Sequence, residues 1–411
     1  MQNKSMIFLF CTLLLSGCWI EDVSEDESEP PDTTTVFEDV SESNIPGDEL
    51  DDSSMDAKAV DVDGDGDLDL VIAVEFFPNK ILINDGNGVF TDESDSRLPG
   101  RDFDTEDIAI ADFDGNGSPD IFFASEDNQT NEFYLNNSDG TFTDASDRIP
   151  VTGTSNAVIT ADLNNDDLPD LIIGNNGQNA VLINSGDGFF TDQSASRLPQ
   201  TITITQDLTL GDIDSDGDLD LLEANEDNNQ LFLNTGSGFF TNRTQTRLPL
   251  TQGIEETRDV NLADVDGDND PDLYFGNVII FQDATTNQDR LLVNNQGSYN
   301  DATQSQLPSM NSNTFDADFF DIDRDGDLDI IAGDFGDIQE NTGNFNGNNL
   351  TRILINDGSG FFDDQTTDFL PDNFSPKVVD FEIADFNGDG LLDIYVANFR
   401  TQDVLLLQQG Q

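Results

Sequence analysis

The chain has 411 residues, with 85 acidic against 15 basic and a formal charge of −70. That balance argues against nucleic acid or an anionic membrane surface as a partner, since both would repel it. With 36% hydrophobic residues, 31 Phe among them, the chain is also too apolar for a disordered acidic polymer. The absence of His removes the commonest general base, the usual zinc and copper ligand, and the Ser/His and Cys/His nucleophile pairs. Carboxylate-only catalysis stays open, but the expectation is a protein that is not an enzyme.

In chain order, Lys4 precedes an apolar run from Met6 to Leu15 and then small residues, the pattern of an export signal. The run is too short to span a bilayer as a helix. It ends in Leu15-Ser16-Gly17-Cys18, which resembles the lipobox of bacterial lipoproteins. The resemblance implies that residues 1–17 are removed and that Cys18 carries lipid at the new N-terminus. Cys11 would leave with the signal, so neither a free thiol nor a disulfide would remain. It also implies an exported protein anchored to the bacterial outer membrane or cell surface, touching the membrane only through its lipid. Trp19, not Asp, follows the cysteine, which fits outer-membrane placement. Residues 18–34 are acidic and Ser-rich, carry Pro30-Pro31, and are expected to form an extended, self-repelling tether.

Beyond residue 34 the chain repeats itself. The segment starting at Asp61 (DVDGDGDLD) returns at Asp112, Asp162, Asp212, Asp264, Asp321 and Asp385, at intervals of 51, 50, 50, 52, 57 and 64 residues. Each unit reads as four short strands. In the first, Ala57 to Asp61 leads into the acidic loop, and Leu70 to Val74 is an unbroken apolar run suited to a strand buried on both faces. Lys80 to Asn84 then precedes the turn Asp85-Gly86-Asn87-Gly88, and Val89 to Asp92 closes the unit before a loop ending in Arg97-Leu98-Pro99. The last unit stops after its third strand, at Leu405 to Gln408. Its missing fourth strand stands at the other end of the chain, as Val36-Phe37-Glu38-Asp39. The fold expected over residues 35–411 is therefore all-β. It is a seven-bladed β-propeller of four-stranded blades, its ring closed by the N-terminal strand that completes the last blade.

The loop has the chemistry of a hard-cation site. Oxygen donors at positions 1, 3, 5 and 9, with a turn residue at 6 and a backbone carbonyl at 7, can supply the six to eight oxygens that calcium takes. In the first copy positions 1, 3, 5, 7 and 9 are Asp61, Asp63, Asp65, Asp67 and Asp69. They are Asp112, Asp114, Asn116, Ser118 and Asp120 in the second, and Asp162, Asn164, Asp166, Leu168 and Asp170 in the third. The fourth has Asp212, Asp214, Asp216, Asp218 and Asp220, and the fifth Asp264, Asp266, Asp268, Asp270 and Asp272. The sixth has Asp321, Asp323, Asp325, Asp327 and Asp329, and the seventh Asp385, Asn387, Asp389, Leu391 and Asp393. Position 7 is assigned through its backbone oxygen only. Asn at 116, 164 and 387 drops a charge, so the second, third and seventh copies are expected to bind more weakly. An EF-hand would need Glu at position 12, where six copies have Ile72, Phe123, Ile173, Phe275, Ala332 and Val396, and only the fourth has Glu223. Zinc and copper lack nitrogen and sulfur ligands here. About seven calcium ions of structural role are expected, standing in for absent disulfides.

The loop flanked by apolar strands resembles the FG-GAP/VCBS repeat of integrin α-chain propellers. The L-x-L-N-x-G-x-G-x-F-T-D segment that follows is similar to the branch of bacterial and cartilage acidic proteins. The resemblance covers roughly residues 35–411, recurs seven times, and implies the propeller and its calcium sites without naming a ligand. No further domain is expected after the last blade. The expected function is a surface-anchored recognition or adhesion module, a monomeric propeller binding an extracellular protein or glycan. The alternative is a calcium-dependent, polysaccharide-active enzyme resembling lyase propellers.

The metal loops join first to second strands, so they share a face of the ring with the third-to-fourth turns. The opposite face takes the second-to-third and blade-to-blade loops, where long insertions fall at 276–290 and 333–350. Variable loops on a rigid scaffold usually carry recognition. Phe281, Phe335, Phe345 and Phe374 in these loops are candidate contacts. Arg97, Arg148, Arg197 and Arg247 are expected to pair with neighbouring carboxylates, and the paired Phe189-Phe190, Phe239-Phe240 and Phe361-Phe362 to be packing.

Overall fold

The computed structural model describes residues 36–410, apart from 48–52, 102, 127–129, 250, 252, 281–283, 285, 311 and 337–349. The export signal, the tether and Cys18 lie outside the described residues, as do Phe281 and Phe345.

Seven antiparallel four-stranded units follow one another. In the first, Ser54–Val60, Asp69–Val74, Lys80–Asn84 and Phe90–Asp92 pair in that order. All six residues of Asp69–Val74 are buried, as expected of an apolar run with protein on both faces. Each innermost strand touches the innermost strand of the next unit, and the last, Val378–Ala384, touches the first. The ring is a closed β-propeller. Its last blade takes its fourth strand from the N-terminal side: Phe37–Asp39 pairs with Val404–Gln408, Phe37 opposite Gln408. Phe37 is fully buried among Ile394, Val396 and Leu406 of that blade. Phe37→Ala is expected to cost about 3–5 kcal/mol, read as a lower urea midpoint; an unchanged midpoint would mean that the closing strand is dispensable.

Two devices inside the blades were not read from the sequence. The connection after each fourth strand is a single helical turn, such as Ser94–Arg97, where an irregular loop was expected. Its cause is a recurring Asp/Asn-x-Ser/Thr. Asp92 Oδ1 accepts the Ser94 N–H at 2.9 Å, and Ser94 Oγ accepts the N–H of Ile81 on the third strand at 3.0 Å. The same hydroxyl bond is made by Ser146, Ser194, Thr244, Thr303 and Thr366, and by Ser41 to Leu405 across the ring closure.

The second device joins blades. Asp56, Asp107, Asp207, Asp259, Asp316 and Asp380 occupy one position, just after a bulge, on six innermost strands. Asp56 Oδ2 accepts the Ile108 N–H of the next blade at 2.7 Å, Asp107 that of Val158 at 2.6 Å and Asp207 that of Val260 at 2.8 Å. Asp316 holds Phe381, and Asp380 holds Ala57 across the closure. The third blade has Ala157 at this position. Its seam to the fourth is made differently. The second strand, Asp170–Gly177, runs on to pair Asn176 with Ile204 and Gly177 with Thr203, fusing the two blades into one eight-stranded sheet.

Candidate metal centre

Each acidic loop is pinned at both ends by the sheet. The residue before position 1 pairs with the residue at position 9, Val60 with Asp69 and Ala384 with Asp393, so the eight residues between them must turn back within one ladder step. The turn needs positive φ at position 6, met by Gly66 (φ 100) in the first copy and by Asp167 (φ 65) and Asn269 (φ 70) in the third and fifth.

Position 9 is the hub of the loop and is at most 1% exposed in all seven copies. Its Oδ2 accepts the N–H of position 2, as from Val62 at 3.1 Å. Its Oδ1 accepts the N–H that ends the third strand, from Asn84 at 2.9 Å. The pattern holds through to Asp393, with Phe386 and Gln408 as donors. Burial outweighs these two bonds and lifts Asp69, Asp170 and Asp329 to about 6. For the same reason Asp120, Asp220, Asp272 and Asp393 rise to about 7. The Asn that ends the third strand also ties blades together. Asn136 Nδ2 donates to Val62 O of the preceding blade's loop at 2.8 Å, and Asn84 Nδ2 to Phe386 O at 2.8 Å.

Position 1 organises the turn, its two oxygens accepting loop N–H groups: Asp112 takes Asn116 and Gly117, both at 2.9 Å. Position 3 completes the cluster. One oxygen each from positions 1, 3 and 9 lie within 4.8 Å of one another in the copies starting at Asp61, Asp112, Asp212 and Asp264. Position 5 is not among these groups. Its Oδ1 accepts the N–H of position 7, as Asp65 does from Asp67 at 3.0 Å, and the residue stands exposed at the rim. Position 7 side chains serve the neighbouring turn, Asp270 Oδ2 accepting the Gln296 N–H at 3.0 Å. The third copy is the outlier at position 3. Asn164 donates its amide to Asp170 Oδ2 at 3.2 Å and so satisfies the hub carboxylate from within the protein. In the seventh, Asn387 Oδ1 accepts the Asp389 N–H at 2.9 Å. Glu223, the one acid at position 12, accepts Asn179 Nδ2 at 2.7 Å, away from its loop.

Two carboxylate oxygens in the clusters, Oδ1 of Asp63 and Asp214, and Oδ1 of Asp321 in the sixth loop are buried with no hydrogen-bond partner. A buried acceptor left bare costs about 1–3 kcal/mol, more when charged. The donor set is all oxygen, and such a set with unmet acceptors fits a hard cation. The second oxygens of Asp63 and Asp214 are spoken for by Arg97 at 3.0 Å and Arg247 at 3.6 Å, the ion pairs expected from the sequence. Arg148 and Arg197 do not form the expected ion pair, although position 3 is Asp114 in the second blade and Asn164 in the third. They lie instead over aromatic rings, Arg197 over Phe239 at 4.7 Å and Arg148 over Phe189 at 4.5 Å. All four guanidinium groups also donate to a turn carbonyl of the next blade, of Gly140, Asp187, Ser237 and Gly297. Of the paired phenylalanines, Phe190, Phe240 and Phe362 are packing, whereas Phe189, Phe239 and Phe361 are about half exposed.

On the opposite face, Phe335 is buried, stacked on Phe315 with ring centroids 4.0 Å apart, and Phe374 packs against the core of the last blades. Phe335 is thus packing beneath its own loop, and Phe374 is partly buried against that core. Among the described residues the exposed large side chains of this face are others: Phe76 and Phe77 in the first blade, with Ile202, Ile254, Ile279 and Leu350.

Among solved structures the chain is similar to chains of the BBS1N complex with ARL6DN. One, soaked with mercury, has a TM-score of 0.54 and 11% identity over 92% of this chain and 98% of that one. The other, soaked with lead, has a TM-score of 0.52 and 11% identity over 91% and 97%. It also resembles, at a TM-score of 0.44 and 17% identity over 77% and 81%, an Agrocybe aegerita lectin described as recognising non-reducing terminal N-acetylglucosamine. The first two likenesses concern the fold. No curated protein matches the chain. The profile of the FG-GAP-like repeat matches residues 61–123, 112–173, 162–223 and 212–275, each match running from one acidic loop through the next. Loops, strands and ring agree with that match, which runs from residue 61 to 275 of the 411: the chain belongs to the FG-GAP-like repeat family.

Proposed function

We propose that the protein is a calcium-stabilised recognition module, a propeller whose acidic loops hold structural calcium and whose opposite face binds an extracellular protein or glycan. The observation that carries the calcium reading is the bare buried oxygens on Asp63 and Asp214 inside all-oxygen clusters, with a third on Asp321 at position 1 of the sixth loop. Asp61, Asp63 and Asp69, and their counterparts in the other copies, would hold the ion, which when bound supplies the positive charge that these carboxylates lack. Recognition is supported by six exposed apolar side chains among the described residues of the opposite face. Display from the cell surface, through lipid on Cys18 and an acidic tether over 18–34, belongs to the same proposal. A glycan and extracellular-protein array probed in calcium and in chelator tests it. Calcium-dependent retention of an unchanged ligand is expected; release of an unsaturated sugar product would replace it with the lyase reading.

A further inference from the structure

Three of the acidic loops have the same donor set. Those starting at Asp61, Asp212 and Asp264 carry Asp at positions 1, 3, 5, 7 and 9, and in each the oxygens of positions 1, 3 and 9 gather within 4.8 Å. Ligand chemistry alone would give them similar affinities. What differs beside the carboxylates is the last residue of the helical turn in the same blade. The turns Ser94–Arg97, Thr244–Arg247 and Thr303–Gln306 end in Arg97, Arg247 and Gln306.

In the first and fourth blades that residue brings a cation to the position-3 carboxylate. Arg97 Nη2 lies 3.0 Å from Asp63 Oδ2, and Arg247 Nη2 lies 3.6 Å from Asp214 Oδ2. Arg97 also meets Glu93 at 2.8 Å. Both position-3 pairs are partly buried, so water and salt screen them incompletely. In the fifth blade Gln306 takes the same place without the charge. A Cβ on Gly360 would lie 3.2 Å from Gln306 Nε2 and 3.5 Å from Asp266 Cβ, just as one on Gly140 or Gly297 would meet both the arginine and Asp63 or Asp214. Gln306 Nε2 reaches the Ser359 carbonyl at 3.5 Å, as the arginines reach those of Gly140 and Gly297. Its other end, Oε1, is buried with no partner. The charges acting on Asp266 are those of Asp264, Asp268 and Asp270, all acidic, whereas Arg247 acts on Asp214.

A calcium ion held by position 3 must share that carboxylate with the guanidinium, and the two cations repel at close range. Gln306 imposes no such repulsion. We propose that the residue ending the helical turn sets the calcium affinity of its blade's loop, so that the fifth loop binds more tightly than the first and the fourth. This rests on the calcium reading of the loops. The expected difference is about tenfold, the lower end of what one charge within 4–6 Å does to a neighbouring ionic equilibrium. Without the ion, Arg97 and Arg247 are the counter-charge, tying position 3 to the turn of the next blade.

Competition with a fluorescent chelator for calcium, run on wild type, Arg97→Gln, Arg247→Gln and Gln306→Arg, tests it. Each arginine variant is expected to tighten one site about tenfold, and Gln306→Arg to weaken one by as much, at an unchanged number of ions. An arginine with only a structural role would loosen its site when removed, so tightening is the discriminating sign. Unchanged isotherms, or weaker binding in the arginine variants, would overturn this inference and leave the loop sites standing. A wild type that binds no calcium would overturn the loop sites, and this inference with them. Should a variant not fold, wild-type crystals soaked in limiting strontium decide. Greater occupancy at the fifth loop than at the first and fourth is expected, and equal or lower occupancy there would overturn the inference.

Discussion

Calcium added to the chelated protein is expected to raise its melting midpoint by on the order of 10 °C. A ligand at about 100-fold excess over its dissociation constant stabilises the native state by roughly 2.7 kcal/mol per site, so seven independent sites would give about 19 kcal/mol at most. The copies differ, and Asn164 already satisfies its hub from within, so about half that sum is a fair expectation. Unfolding entropy near 2.1 cal/mol/K per residue amounts to about 0.8 kcal/mol/K for a unit of this size, which converts about 9 kcal/mol into roughly 11 °C. Calorimetry in calcium and in chelator reads it directly. Superimposed transitions would remove structural calcium from the account.

The second large effect is a pH dependence that reverses with the ion. In chelator the seven hub carboxylates sit at about 6 to 7, raised by burial above the value near 3.8 of a free Asp. Carboxylates on the innermost strands move the same way and for the same first reason, Asp207 and Glu382 to about 7 and Asp318 to about 6. A folded-state value above the unfolded one means that the native chain holds extra protons. The stability these groups contribute is full below about pH 4 and is lost as pH rises through 6 to 7. Metal-free protein should therefore melt higher at pH 5 than at pH 8. Calcium needs the same hubs ionised, so the loaded protein should lose its advantage over that interval. The gap between the two melting curves is expected to narrow from pH 8 to pH 5. A gap that widens on acidification would show that the hubs are not ligands.

What the sequence made legible was whatever a single blade decides. The loop is legible because nine adjacent residues set it, and the four strands because each is bounded by turns. Even the ring closure could be read, since a fourth strand missing at Gln408 and an orphan one at Phe37 are two halves of one local pattern. What escaped reading is what blades do to each other. An Asp stands five residues ahead of the loop in six copies, Asp56 before Asp61 and Asp380 before Asp385 among them, at a spacing as regular as the loop itself. Its meaning lies in an N–H of the next blade, about 50 residues away, as with Asp56 and Ile108. The Asp/Asn-x-Ser/Thr that starts each helical turn was likewise present seven times. The contact aromatics failed for the same reason. Whether Phe335 faces solvent or Phe315 depends on a neighbouring strand. Position 9 was read only as a ligand candidate; its role in holding the third strand to the loop needed the fold.

The closing strand sets the order of events during synthesis. Phe37–Asp39 is made among the first residues of the folded unit and pairs with Leu406, Leu407 and Gln408, among its last. The ring cannot close until nearly the whole chain exists, and joining points roughly 370 residues apart costs about 5 kcal/mol in loop entropy by the (3/2)RT ln n relation. A topology whose decisive contact has nearly the greatest possible separation in sequence should fold late and slowly. Until then the buried face of Phe37, and the strand edge it will cover, stay open to other chains.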